Sequence, residues 1–70
     1  MAKLVFMDPG GKYVGSAADG RSIITHDGQS YGHINGDSII SPAGILLGHI
    51  RGGSVIDPAG KLILLVKEKD

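Results

Sequence analysis

"SIISPAGILLGHIRG" (Ser38–Gly52) runs directly into "GSVIDPAGKLILLV" (Gly53–Val66), and the second stretch follows the first at a step of sixteen residues. The same step from Ser22 reaches Ser38 and Ser54. Ile23, Ile39 and Val55 form one apolar column, and Ile24, Ile40 and Ile56 the next. Gly28, Gly44 and Gly60 align, as do Ile34, Ile50 and Val66. Self-similarity at a fixed short period means that one unit cannot bury its own apolar face and that neighbouring copies do so together. The N-terminal stretch joins the series with one extra residue near Ala18. Phe6 and Met7 then take the two apolar columns, Gly11 the turn glycine, Gly15 the inner glycine and Ala17 the last apolar column. The chain is therefore one domain of four repeats, about 4–20, 21–36, 37–52 and 53–66, with a short tail, 67–70, that reads as a solvated end.

The centres of the four units read "MDPGGK", "ITHDGQ", "ISPAGI" and "IDPAGK". An oxygen-bearing side chain comes first, proline second in three units, glycine fourth. That order suits a type I turn: the oxygen caps the turn, proline pre-sets φ, and glycine accepts the positive φ that follows. Such a turn closes a hairpin through a bulge. The flanks are rich in Ile, Val, Leu and Tyr and suit strands of four to six residues. No helical period is present, and glycine every few residues would weaken a helix by about 1 kcal/mol each. The links "AADG" (17–20), "NG" (35–36) and "RGG" (51–53) are also tight turns. The reading is all-β: four hairpins, eight short strands, up-and-down antiparallel order, closed around a common axis so that few edges remain exposed. The alternative architecture is a short β-solenoid of sixteen-residue coils, which would need caps that the sequence does not supply.

Four tandem copies of apolar-apolar-Asp/Ser-Pro-x-Gly followed by Gly-x-Ile-x-Gly resemble the small bacterial four-fold β-flower domains. The resemblance covers residues 4–66 and implies a ring of four β-hairpins with pseudo-four-fold symmetry. It implies no activity. The fourth unit departs from the pattern: Leu64 replaces the inner glycine and Leu65 takes the column of His33 and His49.

Composition sets the outer bounds. Seventy residues sit near the size at which a single core barely offsets chain entropy. There is no cysteine, so neither disulfide nor thiolate metal site adds support. Seven basic residues balance seven acidic ones, which argues against a nucleic-acid binder. No apolar run approaches the roughly 20 residues of a membrane span, and "MAKLVFMDPG" is too short in its apolar part for a signal peptide. A cytoplasmic, membrane-free protein without a cofactor is expected.

Few residues suggest chemistry. His26 stands where the other units carry proline and reads as a turn residue. His33 and His49 share a column, so a small ligand or metal held between them is the secondary expectation, although strand alternation points both outward. Two imidazoles fall short of the three or four protein ligands of a zinc site. The carboxylates Asp8, Asp19, Asp27, Asp37, Asp57, Glu68 and Asp70 are turn or terminal residues, and no spacing brings a catalytic pair together. Ser22, Ser38 and Ser54 lack a nucleophile elbow, and "HIRGGS" lacks the helix and Gly-Lys-Ser ending of a phosphate loop. No enzyme is expected, because four short hairpins leave little room for a pocket of about 300 Å³ or more. The second strands grow more apolar toward the C-terminus. Ile45, Leu47, Leu62 and Leu64 are accordingly expected to form a homo-oligomer contact, since contiguous exposed apolar residues mark interfaces. The function expected is a self-associating structural or protein-interaction module.

Overall fold

The computed structural model describes residues 3–69. It contains eight strands: β1 (Lys3–Met7), β2 (Tyr13–Ala17), β3 (Ser22–Thr25), β4 (Ser30–Asn35), β5 (Ser38–Ile40), β6 (Leu46–Arg51), β7 (Ser54–Ile56) and β8 (Leu62–Lys69). Every strand pairs antiparallel with its sequence neighbours, and β8 pairs back onto β1, closing the barrel. The up-and-down closed order inferred from the tight turns is the observed one, and the solenoid is excluded.

The four hairpin turns share one hydrogen-bond scheme. Gly11 N–H donates to the Asp8 carbonyl, and Gly28, Gly44 and Gly60 do the same to Thr25, Ser41 and Asp57, at 2.8–2.9 Å. These glycines sit at φ 85–90°, a left-handed conformation that a side chain would strain. The capping oxygen also recurs. Asp8 Oδ1, Thr25 Oγ1, Ser41 Oγ and Asp57 Oδ1 accept the N–H of Lys12, Gln29, Ile45 and Lys61. One physical device, an oxygen at the first turn position, thus aligns every hairpin.

The links between hairpins differ in detail. At the Asn35–Ser38 link only Gly36 of the two central residues has positive φ, which fits a type II′ turn on Gly36-Asp37. At Arg51–Ser54 both Gly52 and Gly53 do, as a type I′ turn requires.

Each hairpin also carries a second irregularity just inside the turn. The register slips so that Val14, Tyr31, Leu47 and Ile63 are left over between paired neighbours. A bulge re-aims the extra side chain, and all four pack against the core.

The core is a ring of four wholly buried side chains, Phe6, Ile23, Ile39 and Val55, one from the first strand of each hairpin. Burying each contributes about 1.5–3 kcal/mol. Facing them across each hairpin are Gly15, Gly32, Gly48 and Leu64. The glycines have no room for more. A Cβ on Gly15, Gly32 or Gly48 would lie 2.4–2.7 Å from the carbonyl oxygen of Ile24, Ile40 or Ile56 on the next hairpin. The fourth hairpin solves the same packing differently, pairing the smaller Val55 with Leu64, which is 5% exposed.

One expectation is extended here and one corrected. The tail is solvated, Lys67, Glu68 and Lys69 all being exposed, yet it is strand: Lys67 and Glu68 pair with Val5 and Leu4, and Lys69 pairs with Lys3. Asp70 lies outside the described residues. Leu64 and Leu47 are not available as surface contacts: Leu64 belongs to the core, and Leu47 is the bulged residue of β6, half-buried against it. The bulge shifts alternation by one residue, so Leu46 and not Leu47 shares the outer side with His49.

Candidate functional site

Cross-strand pairing lays four equivalent diagonal stripes across the outside of the barrel. They read Val5–Ser16–Ile24–Ser30, Ser22–His33–Ile40–Leu46, Ser38–His49–Ile56–Leu62 and Ser54–Leu65–Met7–Tyr13. The two histidines occupy the same place on neighbouring stripes. They flank β5 two residues out of step, His33 opposite Ile40 and His49 opposite Ser38. Two strand spacings, about 10 Å, and the two-residue offset, about 7 Å, put their backbones about 12 Å apart on a convex surface. His33 is exposed, whereas His49 Nδ1 lies 3.2 Å from Ser38 Oγ in a part-buried hydrogen bond. Among the described residues no group of three or more His, Asp or Glu is placed to hold a metal ion. The barrel turns both histidines outward and does not draw them into one site.

The apolar ends of these stripes are exposed. Ile45 is 63% exposed, Leu46 37% and Leu62 38%, all on the third and fourth hairpins beside their turns. Of the four residues expected at a contact, Ile45 and Leu62 are on the surface.

Little room for a pocket of about 300 Å³ was expected, yet the described residues line clefts above that volume. One, about 430 Å³, runs over the β1–β8 seam and is lined by Val5, Met7, Lys67, Glu68 and Lys69. Here Lys3 stands directly opposite Lys69, a like-charge pair that costs stability. The other, about 390 Å³, lies between the turns of the first and second hairpins. Its walls carry Tyr13, Tyr31 and His26, together with Asp8, Lys12 and Asp27. The Tyr13 and His26 rings are 6.5 Å apart and tilted by 53°, within the range of aromatic contact. The Thr25 hydroxyl donates to the Asp27 carboxylate and holds its pKa below the usual aspartate value. Partial burial raises the Tyr31 phenol above its ordinary pKa. The sequence reading places His26, Asp8 and Asp27 separately in turns and does not bring them together with Tyr13 and Tyr31. The readable signal was that each ring interrupts a column of the repeat.

The family model described as 4-fold beta flower protein matches residues 5–70, nearly the whole chain. The chain belongs to this family. The resemblance read from the repeated turns is thereby confirmed, and the four hairpins, the buried ring and the closing β8–β1 pairing are the β-flower architecture in this chain. No curated protein and no solved structure matches it. The β-flower name carries no activity, so function rests on the surface. Among the described residues no helix is long and apolar enough to cross a membrane.

Proposed function

We propose that this β-flower domain is a small interaction module that binds further copies of itself through the outer faces of its third and fourth hairpins. The exposure of Ile45, Leu46 and Leu62 beside one another's turns carries the reading. Each of the two stripes behind them ends in a pair of large aliphatic side chains, Ile40–Leu46 and Ile56–Leu62. Three of the four exposed large aliphatics among the described residues lie on these two hairpins, Ile24 on the second hairpin being the fourth, and such side chains mark a contact surface. Formal charge is zero, so copies meet without net repulsion. The proposal assigns no catalytic role to any residue, and it places no metal between His33 and His49.

Sedimentation of the full chain across a dilution series tests it. Self-association that disappears in the double variant Ile45→Lys/Leu46→Lys, with the fold retained, is the expected result. A monomer at every concentration overturns the proposal.

A further inference from the structure

We propose that the cleft between the first and second hairpins binds a neutral, polyhydroxylated ring: a carbohydrate unit. Three side chains in it are departures from the repeat. Tyr13 stands where the other hairpins have Ser30, Leu46 and Leu62. Tyr31 stands where they have Val14, Leu47 and Ile63. His26 stands where they have Pro9, Pro42 and Pro58. The fold asks for neither tyrosine, since each alternative already builds a hairpin of the same barrel. At position 26 the backbone uses an N–H, which donates to the Val14 carbonyl at 3.1 Å and which proline lacks, but nothing in that bond calls for an imidazole. Yet both tyrosines of the chain and this histidine meet in one cleft of about 390 Å³.

The polar groups around the rings define the ligand. Asp8 and Asp27 each commit an oxygen to their own turns, to Lys12 N–H and to the Thr25 hydroxyl. Each carboxylate keeps further lone pairs as acceptors. The Lys12 ammonium, the Gln29 amide, the His26 imidazole and the two phenols supply donors around the same opening. Two carboxylates against one ammonium disfavour an anion, and the Lys12 ammonium offsets part of their pull on a cation. Alternating donors and acceptors beside ring faces suit a sugar, whose C–H face packs on an aromatic ring while its hydroxyls exchange hydrogen bonds at the rim. The cleft is open, with turn residues among its walls, so weak binding is expected. This site is separate from the self-association surface, and its test does not depend on that contact.

The experiment is NMR titration of the full chain with methyl β-glucoside, methyl β-galactoside, methyl α-mannoside and N-acetylglucosamine, each alone, with sodium 2-naphthoate as a flat anionic control. Saturating shifts of the Tyr13, His26 and Tyr31 ring signals with at least one sugar are expected. The variant Tyr13→Leu/His26→Ala removes both rings and keeps the residue-26 N–H that donates to Val14. It should melt at about the same temperature and bind at least tenfold more weakly. Tyr31→Phe keeps the packing of the half-buried ring and should weaken binding without moving the melting temperature. Four results overturn the proposal: no saturating shift with any sugar, shifts with naphthoate alone, undiminished binding by the double variant, or a melting temperature lowered in that variant, which would make the rings packing residues.

Discussion

Leu46 and Leu62, on the third and fourth hairpins, occupy the position that holds Tyr13 and Ser30 on the first and second. The backbone beneath is the same in all four: the same capped turn, the same bulge, the same buried first-strand residue. What differs is the face shown to solvent beside the turns: aliphatic on the third and fourth hairpins, and ringed and polar on the first and second, where Ile24 is the exposed aliphatic. The comparison separates two kinds of column. Columns shared by the hairpins build the barrel, and columns that vary from hairpin to hairpin carry its contacts. Substitutions should therefore fall into two groups, according to which kind of column they touch.

The largest effect is expected at the inner glycines. Gly32→Val drives a side chain into the Ile40 carbonyl, whose oxygen would be 2.4 Å from the Cβ alone. The loss should be about 3 kcal/mol or more, which is most of the stability of a domain this small. Urea denaturation should find the variant largely unfolded. Gly44→Ala is the contrast. Nothing lies within 4 Å of its Cβ and only the positive φ is strained, so about 1 kcal/mol is expected.

Next is the buried ring. Ile39→Ala should cost about 3 kcal/mol through lost burial and the cavity left behind. The fourth hairpin sharpens the point. Leu64→Gly restores the glycine of its sisters but leaves Val55 too small to fill the space. Adding Val55→Ile should recover about 1 kcal/mol of that loss. A double-mutant cycle in urea measures the coupling, and strict additivity would mean that the two residues do not share one packing problem.

The smallest effect concerns Asp19. Its carboxylate accepts the N–H groups of Ser22 and Arg21, and these bonds hold its pKa below the ordinary 3.8. A lowered folded value means that the stabilisation is present above the ordinary value and is lost as the pH falls through the folded one. Asp19→Asn should therefore flatten the acid limb of a melting-temperature series below about pH 4 and leave its shape near neutrality unchanged.

Most of the fold was legible in the sequence, because glycine and proline at fixed offsets and repeated apolar columns specify turns and strands locally. The extension of the closing pair β8–β1 through the C-terminal charges was hidden. Nothing local to Lys67, Glu68 and Lys69 says strand, and their pairing with β1 exists only once the ring closes. The second bulge of each hairpin was hidden too. Strict alternation puts Leu47 outside, yet one extra residue per hairpin turns it toward the core. That single shift is why Leu47 and Leu64 were expected at an interface while Leu46 was passed over. The cleft between the first two hairpins was legible only as exceptions to the repeat, at Tyr13, His26 and Tyr31, and exceptions reveal convergence only in three dimensions.

Leu46 and Leu47 are adjacent in the chain and on opposite sides of this account, which makes their comparison the most direct measurement. Leu46→Lys and Leu47→Lys should be made separately and their thermal melts recorded at a concentration low enough to leave the wild type dissociated. Leu46→Lys is expected to fold and to change stability by no more than about 0.5 kcal/mol, as an outward position should. Leu47→Lys is expected to unfold the domain, because an ammonium replaces a side chain packed on the core. Equal melts for the two variants, or the reverse order, would contradict the division between columns that build the flower and columns that face its partners.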